Sequence, residues 1–347
     1  MSFCFDVDSL KKWFVENRRD LPWRRDPTAY QVWVSEVMLQ QTRVDVVIPY
    51  YERWMKVFPC IEKLSRSSQE RVIKMWEGLG YYSRARNLHV GARYVVEKFN
   101  GILPSSEEEL KKIKGLGPYT VGAIRSFAFH EKAVAIDGNV MRVLARYFMI
   151  KEKSLSARGK KTYDIVRGIL PEREPWVFNE ALIELGALIC SRKAKCFSCP
   201  LYSSCLAYKT NSVEDFPKKE KKMNVEFLYR AVAIIQCGNK VLLERPPKGK
   251  VMAGLHEFPY IETKFQGISD EEFSRRLKVE KGLDVSFIKS FPEIIHTFTR
   301  YRVRLRPRFF SCEEMGKTKK TFWQELKSLK RLAFSSGHRK ILNFIEA

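Results

Sequence analysis

Ile113-Lys114-Gly115-Leu116-Gly117-Pro118-Tyr119-Thr120-Val121-Gly122-Ala123-Ile124-Arg125-Ser126-Phe127 is the stretch on which the reading of this chain turns. Gly115 and Gly117 stand between one helical segment and a second that starts near Pro118. Glycine permits a tight turn and close backbone approach. The turn amides and the helix N-terminus behind them then face outward as an anion site. Such a site grips a phosphate without reading sequence. Taken without context, the same residues are equally a plain glycine-rich connector.

Working outward, Ala135-Ile136-Asp137-Gly138-Asn139-Val140 follows the second helix. Asp137 closes a short apolar stretch and is placed to begin a helix over Val140 to Phe148; a capping aspartate is the default reading there. Upstream, Trp33-Val34-Ser35-Glu36-Val37-Met38-Leu39-Gln40-Gln41-Thr42 puts Glu36 inside an apolar helix. A lone acid in such a place needs a partner or a function.

Other segments also read as helices. Residues 8 to 17 set Leu10, Trp13 and Phe14 on one face, with Asp8 or Ser9 as the cap. Residues 86 to 99 set Leu88, Ala92, Val95, Val96 and Phe99 at helical spacing before Gly101. Ser106 with Glu109 forms a capping box. These apolar stripes are core rather than site. Residues 211 to 224 are polar, charged and contain a proline, and read as a linker. Strands follow at 229 to 236 and 240 to 245, turning at Cys237-Gly238-Asn239. Residues 302 to 310 alternate arginine with apolar residues, as a half-buried strand does. Helices are expected at 270 to 280 and 336 to 345. The fold class is therefore a mainly α first domain followed by an α+β second domain.

The chain has 347 residues, enough for two domains, with a formal net charge of +23. That excess attracts polyanions, of which nucleic acid is the commonest large one. No run of about 18 apolar residues supports a membrane span, and the N-terminus lacks the pattern of a secretory signal. Eight cysteines are present. Cys4, Cys60, Cys237 and Cys312 are scattered, which speaks for a reducing intracellular compartment rather than a disulfide framework. Cys190, Cys196, Cys199 and Cys205 crowd together, with five, two and five residues between them. Four close thiolates suit an iron–sulfur cubane or a zinc centre. Arg192, Lys193 and Lys195 among them offset the negative charge of such a centre and can touch phosphates.

Together these segments resemble the adenine DNA glycosylases, the MutY family within the helix-hairpin-helix glycosylases. Leu21-Pro22-Trp23-Arg24, Gly78-Leu79-Gly80-Tyr81-Tyr82-Ser83-Arg84-Ala85-Arg86-Asn87 and Phe178-Asn179-Glu180 carry the resemblance further. So do Arg245-Pro246-Pro247, Gly254-Leu255 and Phe258-Pro259 in the second domain. The resemblance implies a helical glycosylase domain over 1–210, with two subdomains and an iron–sulfur loop at 190–205. It implies a charged linker over 211–224 and a Nudix-like recognition domain over 225–347. Ser274-Arg275-Arg276-Leu277-Lys278-Val279-Glu280 carries too few acids for the Nudix metal box. The implied substrate is double-stranded DNA holding adenine opposite 8-oxoguanine or guanine, bound by a monomer in the cytoplasm, nucleoid, nucleus or an organelle.

The resemblance also assigns roles. Glu36 is the protonated acid and Asp137 the ionised carboxylate that stabilises the sugar, by charge or a transient covalent bond. Tyr119, Asn139, Arg24 and Glu180 support them. Gln41 and Tyr81 fill or wedge the base stack, and Gly115 and Gly117 bind the backbone. Cys190, Cys196, Cys199 and Cys205 hold a [4Fe-4S] cluster, with zinc as the alternative. A lysine at the position of Tyr119 marks the related strand-cleaving enzymes; tyrosine implies base removal alone. Two departures stand out. The family has six residues between its first two cluster cysteines, and this chain has five. Where the family reads Phe-Ser-His, this chain reads Phe298-Thr299-Arg300, which leaves Phe298 and Thr299 as the residues for the opposite base. Rival readings are a glycosylase for T:G or U:G mispairs and a non-catalytic damage sensor.

Overall fold

Capping and apolar spacing set the helix boundaries of the first two hundred residues. The computed structural model of the protein describes residues 5–218, 225–247, 249, 252–298, 300–316 and 321–346. The helices are α1 (Val7–Asn17), α2 (Ala29–Leu39), α3 (Val44–Val57), α4 (Ile61–Ser65), α5 (Gln69–Trp76) and α6 (Ser83–Phe99). They continue with α7 (Glu107–Leu110), α8 (Pro118–Phe127), α9 (Gly138–Tyr147), α10 (Leu155–Ile169), α11 (Pro175–Leu188) and α12 (Leu206–Lys209). α1 is capped by Asp6, whose carboxylate accepts from the Ser9 amide at 3.0 Å, and not by Asp8 or Ser9. The cap sits earlier because a carboxylate reaches the amide three residues ahead. α2 opens with a full capping box between Thr28 and Gln31, and Ser106 caps α7. The mainly helical fold expected for this half is present.

Internal contacts divide the chain into two units, Met1–Arg66 with Asn87–Lys221, and Ser67–Arg86 with Lys222–Ala347. Residues 67–86, which include Tyr81, thus group with the C-terminal unit rather than with the rest of 1–210. Glu77 shows why. Its carboxylate accepts from the Phe334 amide at 3.0 Å and the Arg339 guanidinium at 2.8 Å. The segment read as a linker is anchored to the helical unit for its first part. Arg146 donates to the carbonyls of Val213 and Phe216, Arg158 donates to that of Lys218, and Phe216 is buried. Buried guanidinium donors need acceptors, and this polar stretch supplies them.

In the helical unit, Leu10, Phe14, Val143, Leu144, Phe178 and Leu182 belong to one core. Close approaches there depend on missing side chains. A Cβ on Gly122 of α8 would lie 2.0 Å from the Val134 carbonyl oxygen. One on Gly186 of α11 would lie 2.6 Å from the Asn139 Cβ. Both glycines therefore press against the segment that carries Asp137.

The C-terminal unit holds β1 (Glu226–Cys237), β2 (Lys240–Glu244), β3 (Tyr260–Thr263), α13 (Asp270–Lys281), β4 (Ser286–Ser290), β5 (Ile294–Phe298), β6 (Tyr301–Ser311), β7 (Thr321–Glu325) and α14 (Ser336–Glu346). The sheet runs β4-β6-β1-β2-β7, with β3 added to β1 and β5 to β6. β1 and β6 are parallel and in register from Glu226↔Tyr301 to Gln236↔Ser311. Both faces of β1 are buried. Val232 and Ile234 join the core of Ile341 and Leu342 from α14. Ala231, Ala233 and Ile235 join that of Phe273 and Leu277 from α13. This explains the continuous apolar run, which a strand covered on both sides requires. On β6, Val303 and Leu305 are buried while Arg304 and Arg306 pair with Glu293, so the period of two is present. The mixed α and β fold is as expected. No described helix is long and apolar enough to cross a membrane.

Substituting Gly122→Ala is expected to destabilise the protein by roughly 1–3 kcal/mol, because a backbone carbonyl must move. Gly117 has φ −88° and open space where a Cβ would point, so Gly117→Ala should cost less than about 1 kcal/mol. Chemical denaturation of both variants measures the contrast.

Candidate active site

A cleft of about 1230 Å³ opens within the helical unit, and Glu36, Tyr119, Asp137, Asn139, Arg24 and Glu180 all line it. Gln41 reaches its edge. α2 carries Glu36 inward because the helix is apolar nearly all round, with residues 32–38 buried. Glu36 is itself 6% exposed. Burial raises its carboxyl to about 7, against the Tyr119 hydroxyl hydrogen bond and with help from the charges of Asp137 and Glu180. The Tyr119 hydroxyl donates to Glu36 Oε2 at 2.5 Å. Tyr119 sits in the first turn of α8, so the helix behind the glycine turn is what brings its ring to the acid.

Asp137 is the N-cap of α9, which starts at Gly138 rather than Val140. Its Oδ1 accepts from the Asn139 and Val140 amides, each at 2.8 Å, and its Oδ2 accepts from Asn139 Nδ2 at 2.6 Å. Burial raises this carboxyl too, against those hydrogen bonds. The capping role and a cleft-facing carboxylate are thus one arrangement. Asn139 Oδ1 accepts from Arg142 at 2.8 Å, and Arg142 also donates to the carbonyls of Gly186 and Cys190. Asp137 is therefore tied to the cysteine loop through two side chains.

Arg24 donates to Glu180 Oε1 at 3.1 Å and to Glu184 Oε2 at 3.0 Å. Glu184 is wholly buried and also takes a two-pronged hydrogen bond from Arg19. Burial alone would raise the Glu184 carboxyl, but Arg19 and Arg24 outweigh it and hold the group at about 2. Arg19, Glu184 and Arg142 were missed in the sequence. Glu180 and Glu184 do stand one turn apart in the apolar helix α11, the same signal that singled out Glu36. His130 and Trp176 were missed as well; they stack at 4.2 Å and line the cleft.

Gln41 and Tyr81 both adopt positive φ, +58° and +48°. Tyr81 belongs to the other unit and is 46% exposed, with Arg84 over its ring. A non-glycine residue held there is strained, a state that clusters at functional sites. Gly115, at φ +91°, makes the turn before α8 and leaves no room for a side chain beside Asn87. Gly117 is extended, so only Gly115 needs glycine for its conformation. Phe298 ends β5 and packs near Tyr301; Thr299 lies outside the described residues. Arg300 pairs with Glu226 at 3.0 Å.

Cys190, Cys196, Cys199 and Cys205 line one apolar cavity with Val143, Leu185 and Leu201. Among the described residues, no three His, Cys, Asp or Glu side chains are grouped to hold a single metal ion. Burial pushes the Cys199 thiol up to about 12, so a thiolate there calls for bound positive charge. Arg146 donates to Cys190 Sγ at 3.3 Å.

Residues 34–167 match the HhH-GPD superfamily of base excision DNA repair proteins, and residues 230–344 match the NUDIX domain. The chain is similar to an adenine DNA glycosylase of Buchnera aphidicola from Schizaphis graminum, at 31% identity over 99% of both chains. It is 34% identical to the Arabidopsis thaliana adenine DNA glycosylase over 96% of its own length and 63% of that protein's. The human one is 32% identical over 85% of this chain and 65% of that protein. Among solved structures, a thermostable thymine-DNA glycosylase superposes on 59% of this chain with TM-score 0.54 and 26% identity. A trapped endonuclease III–DNA complex shares the fold, with TM-score 0.52 and 23% identity over 59% of the chain.

Glu184 sets a pH dependence of stability. A carboxyl held below its ordinary 4.5 stabilises the fold above that value, and the contribution is lost as pH falls from 4.5 through about 2. Roughly 3 kcal/mol follows from a depression of that size. Glu184→Ala should lower stability at neutral pH and flatten its fall between pH 4.5 and 2, read by denaturation at several pH values.

Proposed function

Because this chain belongs to the adenine DNA glycosylase family, whose members hydrolyse the N-glycosidic bond of adenine in base excision repair, we propose that it excises adenine opposite 8-oxoguanine or guanine. The observation that carries this reading is one cleft holding two carboxyls in different settings. Glu36 is buried beside a tyrosine, and Asp137 is fixed at a helix N-terminus. Glycosidic cleavage needs such a pair.

The target adenine leaves the stack, since no pocket reaches a base inside a duplex. Glu36, raised to about 7, keeps a proton near neutrality and delivers it to adenine N7. The departing base takes the bonding electrons, and positive charge gathers on the sugar. Asp137 stays ionised and faces that charge. Its three hydrogen bonds and the positive end of α9 hold it in one orientation. Water then completes the hydrolysis. Tyr119 orients Glu36 and offers no amine for a Schiff base, so the strand is left intact. Arg24 and Glu180, braced by Glu184, bound the base pocket. Gln41 and Tyr81 hold the opened stack, and the Gly115–Gly117 turn takes a backbone phosphate.

The four cysteines are read as the ligands of a [4Fe-4S] cluster, since all four line one apolar cavity and the family resemblance points to that cluster. Such a cluster, when bound, ties four points of the loop into one rigid body. Arg142 and Arg146 carry that rigidity to α9, while Arg192, Lys193 and Lys195 meet phosphate. Residues 1–210 carry the chemistry. Residues 225–347 read the opposite base through Phe298, at the end of β5, and through Thr299, and residues 211–224 join the two.

On duplexes carrying A:8-oxoG, A:G, T:G or U:G, base release scored by alkali cleavage is expected for the two adenine mispairs. Release from T:G or U:G alone would overturn the reading, and borohydride should trap no covalent adduct. Single-turnover rates should fall as pH rises through about 7, where Glu36 loses its proton. Glu36→Gln and Asp137→Asn should each slow excision by roughly 10²–10⁴. Asparagine caps helices as well as aspartate, so Asp137→Asn should keep the thermal midpoint of the native protein.

A further inference from the structure

Two cysteines outside the cluster loop meet at the end of the central strand pair. β1 and β6 run parallel, with Gln236 opposite Ser311 as the last pair of the register. Cys237 ends β1 and Cys312 directly follows β6, and the Cys312 amide donates to the Gln236 carbonyl at 3.0 Å. Opposite residues on adjacent strands point their side chains to the same face. Here the thiols also lean across the gap in both directions. Cys237 Sγ donates to the Glu313 carbonyl at 3.5 Å, and Cys312 Sγ donates to the Gln236 carbonyl at 3.8 Å. Each sulfur therefore reaches toward the other's strand. Neighbouring strands are about 4.8 Å apart, within the Cα separation that a disulfide spans. Both side chains are partly exposed, so a small oxidant has access. Burial raises the Cys312 thiol to about 12, with Cys237 adding to the shift.

We propose that Cys237 and Cys312 form a reversible disulfide that locks the ends of β1 and β6, with a low-molecular-weight disulfide such as oxidised glutathione as the oxidant. The Cys237 thiolate attacks one glutathione sulfur and expels the other glutathione as a thiolate, which takes up a proton. The Cys312 thiol then gives its proton to solvent as it attacks the Cys237 sulfur of the mixed disulfide, and expels the second glutathione as a thiolate that takes up a proton. Two protein thiols are oxidised by two electrons, and one glutathione disulfide becomes two thiols. The bond closes the end of β6 remote from the β5–β6 hairpin, so it fixes the register of the sheet that carries Phe298 without blocking that hairpin.

The test treats the full-length protein, with its cluster loaded, with excess oxidised glutathione. Peptide mapping without reductant should give one linked pair containing Cys237 and Cys312, with no glutathione retained on either of these two and unchanged cluster absorbance. The thermal midpoint should rise by several degrees and return on adding dithiothreitol. Cys237→Ser and Cys312→Ser should each give no linked pair, and each should keep one glutathione on its remaining thiol. An unreacted wild-type pair, or wild-type protein that retains glutathione on both cysteines without a link, overturns the proposal.

Discussion

The closing of the α9 N-terminus on the Asp137 carboxylate is the constraint on which the helical unit depends. An aspartate left buried without donors would protonate. Here two amides and the Asn139 side chain satisfy it, and the same bonds start the helix. From that point a chain of hydrogen bonds runs through Asn139 and Arg142 to the carbonyl of Cys190. The glycines at 122 and 186 allow two other helices to press against this segment. The position of one carboxylate is thus set by backbone geometry, and the cysteine loop braces it.

Glu36 is fixed by the opposite logic. A buried helix and the hydroxyl of one phenol define its setting. Burial raises both carboxyls, but hydrogen bonds from two amides and a side-chain amide oppose it at Asp137, whereas one phenol opposes it at Glu36. Arg24, Glu180, Glu184 and Arg19 add a wall whose charges are largely balanced by one another. Field from that wall reaches the cleft with less effect than the number of ions suggests.

Much of this was legible in the sequence, for identifiable reasons. Glu36 stood out as an acid among apolar neighbours, and Asp137 as a cap, because both signals are local. The glycine turn, the cysteine spacing and the period of two in β6 were local as well. Arg19, Glu184 and the Arg142 relay were not legible, since each acquires meaning from a residue distant along the chain. The grouping of residues 67–86 with the C-terminal unit was hidden for the same reason: Glu77 finds its partners at Phe334 and Arg339. The α1 cap was misplaced by two or three residues because several capping side chains crowd the same turn.

The parallel pairing of β1 with β6 carries a consequence for how the chain comes to its fold. β1 is apolar on both faces, yet each residue of its longest partner lies 75 positions further on. Loop closure of that span must precede the contacts that reward it, which makes such pairing slow. During synthesis β1 emerges well before β6 exists, with its edge open. The hairpin with β2 and the short β3 are the partners available in that interval, and they shield part of it. The C-terminal unit is therefore the part of the molecule whose longest strand waits for its main partner while the chain is being made.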